Sequence, residues 1–244
     1  MIHYHGTGGS GSLRDDLLLF RGRHIFFTFA DCVRLAALSQ VCQSFALDNG
    51  AYSTWKSGKA FDFEGYCEFV ETWRYHPAFD FCVIPDKIDG NEKDNDDLLE
   101  AWPFPNLGVP VYHFHESLDR LQALVEKWPI VCLGSSEAYE PPNSIRWWER
   151  MAAIMKIACD EKGRPRCKLH GLRMLDPRVF TRLPLHSADS TNADRNGVLE
   201  VRFGMYCPPT RGQRSAVIAD RIENQQSATV WEFGGQEEFD LVLG

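Results

Sequence analysis

Residues 44–52 read Ser44-Phe45-Ala46-Leu47-Asp48-Asn49-Gly50-Ala51-Tyr52: a short apolar run that stops on a carboxylate, an amide and a glycine. A run of this length bounded by turn residues reads as a buried strand followed by a turn. The same grammar recurs along the chain. Phe81-Cys82-Val83-Ile84 stops on Pro85-Asp86, Ile130-Val131-Cys132-Leu133 on Gly134-Ser135-Ser136, and Leu185-His186-Ser187-Ala188 on Asp189-Ser190-Thr191. Val109-Pro110-Val111-Tyr112 runs into His113-Phe114-His115-Glu116. Eight such runs are expected, at 2–6, 24–29, 44–48, 79–84, 109–114, 129–133, 166–172 and 185–189.

Between them lie helical patterns near 13–20, 32–40, 61–74, 94–101, 117–127, 144–161 and 176–182, with a last helix over 211–223. Ser117 precedes the stripe Leu118, Leu121, Leu124, Val125; Asn143 or Ser144 precedes Trp147, Trp148, Met151, Ile154, Met155; and Asp176-Pro177 places a capping carboxylate before a proline. Strands alternating with helices predict a parallel sheet. Eight units in about 200 residues predict an α/β fold closed into a (β/α)8 barrel of the TIM type, with an open doubly wound sheet as the alternative. The expectation is a single domain over 1–244, with 1–200 as barrel core and 201–244 as a short C-terminal extension of helix and tail.

Composition narrows the function class. With 44% hydrophobic and 25% charged residues the chain is an ordinary globular sequence, so a packed core needs no metal or disulfide staple. No run of about 20 apolar residues occurs, so no membrane helix is expected. Met1-Ile2-His3-Tyr4-His5-Gly6-Thr7 lacks a basic-then-apolar leader. The cysteines, at 32, 42, 67, 82, 132, 159, 167 and 207, form no C-x-x-C pair and several sit in apolar runs. They read as buried and reduced, which points to the cytoplasm and to no zinc site. The net charge of −8 argues against coating nucleic acid through overall charge. The charge is segregated, however. Residues 162–182 carry seven cations against Asp176 alone, while 87–100 carry six acids against two lysines. The basic run is a candidate phosphate-binding face and the acidic run reads as solvated surface. Gly6-Thr7-Gly8-Gly9-Ser10-Gly11-Ser12 lacks the Lys-Ser/Thr ending of a P-loop and reads as a plain loop.

A barrel builds its active site where its strands end. Asp48, Asp86 and Asp189 would therefore converge on one mouth. Each has a bland use, Asp48 in an Asp-Asn-Gly turn and the other two as helix caps, and three together at strand ends weigh against coincidence. Clustered carboxylates suit glycosyl chemistry, where one attacks or stabilises a cationic sugar carbon and another moves a proton; a third can accept from the N–H groups of a purine-like ring. Binding of Mg²⁺ is the competing use. His113 and His115 alternate on the expected strand and would point to one side as base-contacting donors, ligands or barrel lining. Gly134 would let a flat ligand approach the backbone.

These residues resemble the tRNA-guanine transglycosylase superfamily, specifically its compact phage-type relatives linked to inserting 7-deazaguanines into DNA. The likeness spans about residues 22–197 and rests on Phe45–Ser53, Val83-Ile84-Pro85-Asp86, Leu133-Gly134-Ser135 and Ser187-Ala188-Asp189-Ser190-Thr191. It implies a (β/α)8 barrel that exchanges guanine for a modified base, such as 7-cyano-7-deazaguanine, with no cofactor. It implies Asp189 as nucleophile at the sugar C1′, Asp48 as general acid/base, and Asp86 as reader of the guanine edge. Asn49, Gly50, His113, His115, Gly134 and Ser135 would line the base site. Asn49 stands where the tRNA enzymes carry a small hydroxyl residue. Those enzymes also hold zinc through a C-terminal cysteine cluster with a histidine, whereas this chain offers only Cys207 there, which favours the DNA branch over tRNA and a setting in the bacterial host cytoplasm. A target base must leave the duplex stack before C1′ is exposed. Arg164, Arg166, Lys168, Arg173 and Arg195 would hold the flanking phosphates, and Tyr52 or Trp55 could stack or wedge.

Three alternatives stay open: an N-glycosidase acting on nucleosides or nucleotides with water as acceptor; a barrel that binds nucleic acid without turnover; and, from Tyr4-His5-Gly6-Thr7, an ADP-ribosyltransferase-like motif.

Overall fold

The computed structural model describes residues 1–232 except 9–10, 30–32 and 105. Its strands are β1 (Ile2–Gly6), β2 (His24–Thr28), β3 (Ser44–Asp48), β4 (Phe79–Val83), β5 (Gly108–Val109), β6 (Val111–His113), β7 (Ile130–Gly134), β8 (Lys168–Gly171) and β9 (Ser187–Ser190). All pair in parallel, in the order β5-β4-β3-β2-β1-β9-β8-β7-β6. The two ends of that list are one continuous stretch of chain. Pro110 has no N–H to give to a ladder, so it divides the fifth expected run in two. Before it, Val109 accepts from Ile84 on the β4 side; from it onward, the Pro110 carbonyl accepts from Cys132 on the β7 side. Residues 108–113 are thus the seam where the sheet returns on itself, and the eight runs form a TIM-type barrel of nine strand segments.

Period-two alternation divides the core into two. Tyr4, Phe26, Ala46, Phe81, Val83, Val109, Val111 and Cys132 point inward and fill the barrel. The outward set, including Phe27, Phe45, Leu47, Val131, Leu133 and Leu169, packs under the helices.

The connecting helices are α1 (Leu13–Phe20), α2 (Leu35–Leu38), α3 (Ala51–Lys56), α4 (Phe63–Trp73), α5 (Glu92–Ala101), α6 (Leu118–Lys127), α7 (Ile145–Ala158), α8 (Pro177–Phe180) and α9 (Asn192–Asn196), followed by α10 (Arg211–Glu223). Ser117 and Ser144 cap α6 and α7, and Asp176 with Pro177 opens α8. Asn143 instead takes a left-handed φ of 73° and accepts from the Trp148 indole. Helix α7 buries the expected stripe Trp147, Trp148, Met151, Ile154 and Met155, but it stops at Ala158 rather than 161. The helix expected over 32–40 is confined to Leu35–Leu38, with residue 32 outside the described set. Two short helices lie outside the expected set, α3 directly after the Asp-Asn-Gly turn and α9 directly after β9; neither is long enough to show helical periodicity. Helix α10 spans the expected 211–223 and packs on α1 and α9, so the C-terminal extension closes against the first unit. Residues 233–244 of the tail lie outside the described residues.

The described cysteines are free thiols; Cys82, Cys132 and Cys159 are buried, Cys42, Cys67, Cys167 and Cys207 are half-buried, and Cys32 lies outside the described residues. Burial pushes the Cys82 thiol up to about 12. Among the described residues no helix is long and apolar enough to cross a membrane.

Candidate active site

The inward faces of the strands end in a cavity of about 640 Å³ at the C-terminal mouth of the barrel. Its floor is apolar, from Phe26, Val83 and Leu172, and its wall carries Asp48, Asp86 and Asp189. The three arrive by one rule: each belongs to the last inward position of a strand or the turn just after it. Asp48 ends β3 beside Thr28 of β2, and Asp189 lies on β9 two positions beyond inward-facing Ser187. Asp86 follows β4 by way of Pro85.

Asp86 is anchored through both oxygens. The Asn49 amide donates to Oδ1 at 2.7 Å and also to the Ile84 carbonyl at 2.9 Å, while the Asn49 side-chain oxygen accepts from the Ala51 N–H at 2.7 Å. Asn49 therefore ties the β3 turn to the β4 turn and starts α3. Gly50 makes this turn possible at φ 78° and stands at the N-cap of α3; it shapes the turn and is not among the residues lining the cavity, where the sequence reading places it. On the other oxygen, His113 Nε2 stands 2.9 Å from Asp86 Oδ2, with both side chains nearly buried. Burial works against a charge on His113, but the Asp86 carboxylate, with Glu116 behind it, outweighs burial and raises its pKa. Glu116 is itself buried, accepts from the His113 N–H at 2.8 Å and pairs with Arg120 at 2.7 Å, which locks the end of β6 in place.

Asp189 is held differently. Its Oδ1 accepts from the Arg173 backbone N–H at 2.9 Å and lies 3.5 Å from His170 Nε2. Arg173 takes a left-handed φ of 59°, and its guanidinium lies over the Tyr52 ring, 3.5 Å from the centroid.

Asp48 lies half-buried on the cavity wall, within electrostatic reach of the other two. Burial, followed by the negative charges of Asp189 and Asp86, pushes its carboxyl up to about 7; the Thr28 hydroxyl and Arg173 offset only part of this. The Asp48 carboxyl is thus pushed toward neutrality, the range an acid/base group uses.

Gly134 and Ser135 line the cavity, the Ser135 hydroxyl accepting from the Trp147 indole at 2.8 Å. A Cβ on Gly134 would stand 3.4–3.6 Å from Val111, His113 Nδ1 and Leu172, so the bare backbone leaves a methyl-sized slot beside the imidazole. Lys56, Arg173 and Arg195 supply cations to the lining.

Two groups of expected residues fall elsewhere. His115 is not on β6, which ends at His113; it is exposed in the following turn, stacked on the His113 ring at 5.6 Å and 3.4 Å from the Gly90 carbonyl. Arg164, Arg166 and Lys168 do not join Arg173 and Arg195. They precede or begin β8, and Arg166 and Lys168 line a separate hollow of about 750 Å³ with Trp128 and His186, at the opposite end of the strands. Arg164 pairs there with Asp160 at 3.2 Å, and Arg166 donates to the Ile157 and Cys159 carbonyls. A strand running from one end of the barrel to the other separates the cations before it from those after it. The Tyr4-His5-Gly6-Thr7 motif is likewise split by alternation: Tyr4 fills the barrel interior, whereas His5 points outward, 2.8 Å from Glu223 of α10.

Among the described residues no group of three or more acid, histidine or cysteine side chains has the arrangement of a metal site. Asp86 Oδ1 instead accepts from the Asn49 amide while its Oδ2 lies 2.9 Å from His113 Nε2, and Asp189 Oδ1 accepts from the Arg173 N–H. The sequence reading missed His170 and Thr28. Both were within reach, because period-two alternation along His24–Thr28 and Lys168–Gly171 places Thr28 and His170 on the inward face. No protein-family model, curated protein or solved structure matches this chain.

Proposed function

We propose that the barrel mouth catalyses exchange of a purine base at an N-glycosidic bond, replacing guanine in DNA with a 7-deazaguanine. One observation carries the reading: Asp48, its carboxyl pushed up to about 7, faces the same cavity as Asp189, whose Oδ1 is held by a backbone N–H. In the first half-reaction an Asp189 oxygen attacks C1′. The C1′–N bond breaks, its electron pair goes to the departing guanine, and the Asp48 carboxylic acid supplies the proton that neutralises it. In the second half the incoming base gives its proton to the Asp48 carboxylate and attacks C1′, and the electron pair of the ester bond returns to Asp189. Proton and electron balance close over the cycle.

Asp86, fixed in place by Asn49, offers its carboxylate to the edge of the base, and the bare Gly134 backbone lets a flat ring approach beside His113. Lys56, Arg173 and Arg195 on the lining suit the phosphates on either side of an extruded nucleotide.

The test is release of label from guanine-labelled duplex DNA and, separately, from tRNA, each with and without 7-cyano-7-deazaguanine, together with a search for a denaturant-stable protein–nucleic acid adduct. Release from DNA that depends on the added base, with an adduct lost in Asp189→Asn, is the expected result. No release from either polymer overturns it. The placement of Arg164, Arg166 and Lys168 away from the mouth favours a second reading, hydrolysis of small nucleosides by the same carboxylates, which the same assay detects with free nucleoside as substrate.

A further inference from the structure

His170 sits fully buried on β8, directly across from Ser187 of β9. Its ring stacks on Phe26 at 5.2 Å and is edged by Tyr4 and Phe81 at 5.9 and 5.5 Å, so it has no room to turn. Nδ1 lies 2.8 Å from the Ser187 hydroxyl. Nε2 is buried without a hydrogen bond and stands 3.5 Å from Asp189 Oδ1. The line Ser187–His170–Asp189 has the order of a nucleophile–base–acid triad, but its serine is buried at 1% exposure beneath the cavity, so the carboxylate is the end that meets a substrate. Asp189 Oδ1 also accepts from the Arg173 N–H, while Oδ2 has no hydrogen bond or ion pair among the described residues.

We infer that His170 is the positioning residue for Asp189 and that Ser187 sets its tautomer: the Ser187 hydroxyl donates to Nδ1, the ring proton stands on Nε2, and that N–H, 3.5 Å away and short of a hydrogen bond, adds its electrostatic pull to the Arg173 hydrogen bond on Oδ1, leaving Oδ2 as the attacking oxygen. The inference rests on the proposed role of Asp189 and deepens it. When Oδ2 bonds to C1′, Oδ1 becomes the ester carbonyl and loses charge. When the incoming base displaces the ester, the electron pair returns to the carboxylate and Oδ1 meets two donors already in place. Such preorganised donors need no rearrangement at the moment of reaction.

Two measurements test it. The first is ¹⁵N NMR of the histidine rings, with His170 identified from its missing signals in His170→Gln. A proton on Nε2 is expected; a neutral ring protonated on Nδ1 alone would aim a lone pair at the carboxylate and overturns the proposal. The second compares His170→Gln, whose amide nitrogen reaches the Nε2 position, with His170→Asn, whose amide nitrogen reaches only Nδ1. The glutamine variant is expected to retain kcat within about 3-fold, and the asparagine variant to lose about 10-fold more, the lower end of what a donor beside a charged group contributes, with KM for the base unchanged and similar melting temperatures. Equal kcat in the two variants makes His170 a packing residue and overturns the proposal. Absence of adduct and release in the unmodified protein would defeat the glycosyl-transfer reading separately; the ring tautomer would still decide whether His170 turns an N–H toward Asp189.

Discussion

Replacing Asp48 with asparagine should abolish base exchange and, above neutral pH, stabilise the fold. The carboxyl is shifted from its usual 3.8 to about 7 by burial and by the charges of Asp189 and Asp86. Between those values the folded protein keeps a proton that the unfolded chain gives up. Unfolding therefore releases a proton, and each rise in pH favours the unfolded chain until the folded carboxyl ionises near 7. The proton affinity differs by about three powers of ten, at about 1.4 kcal/mol each, so the charge on Asp48 costs the fold roughly 4 kcal/mol above pH 7. The substituted amide keeps the shape of the carboxyl and carries no charge. Stability of Asp48→Asn should match that of the unmodified protein at pH 4 and exceed it by roughly 4 kcal/mol at pH 8, on the order of 10 °C in Tm for a chain of this size. Urea denaturation at pH 4, 6 and 8 reads the difference directly. A gain that is absent at pH 8, or equal at pH 4 and pH 8, would refute the assignment of Asp48 as the carboxyl pushed toward neutrality. For the same reason, exchange by the unmodified protein should fall as pH rises past about 7, because the acid form of Asp48 is consumed.

Asp86→Asn removes the carboxylate that keeps the His113 pKa raised, so burial should prevail and His113 should titrate below 6.5; NMR of its ring protons reads the change. In the unmodified protein this pair stabilises the fold fully below pH 6.5, and the contribution fades as pH rises through the raised His113 value. Gly134→Ala should fold normally, since its Cβ meets neighbours at 3.4 Å or more, and should raise KM for the base severalfold by filling the slot. Gly171→Ala should instead destabilise by roughly 1–3 kcal/mol in thermal denaturation, because its Cβ would stand 2.9 Å from Met174. Arg195→Ala and Arg173→Gly (glycine because the backbone there is left-handed) should each weaken DNA binding and lower the slope of log affinity against log salt by about 1. Arg166→Ala and Lys168→Ala at the opposite end should leave that slope unchanged, as measured by fluorescence anisotropy.

Much of the architecture is written locally. Apolar runs of strand length, the turn residues that stop them, and caps such as Ser117, Ser144 and Asp176 depend on near neighbours in the chain, so they can be read without knowing the fold. The strand-end position of Asp48, Asp86 and Asp189 follows from the same grammar. Short helices α3 and α9 are not legible because a helix of five or six residues shows no period. His170 lies inside β8, below the strand ends where polar residues mark a site, although alternation along that strand points it inward.

What sequence alone determined is the set of parts: eight parallel units, three carboxylates at strand ends, and a run rich in cations near β8. Tertiary structure decided how those parts combine. Pro110 closes the barrel only because one half of its strand pairs with β4 and the other with β7. The basic run divides because β8 passes through it, sending Lys168 to one end of the barrel and Arg173 to the other. The proton on Asp48 depends on burial and on two charges brought to it by other strands. Burial and Coulomb interaction act through space over a few ångströms, and distance in space between residues 48, 86 and 189 is a property of the closed barrel rather than of any stretch of its chain.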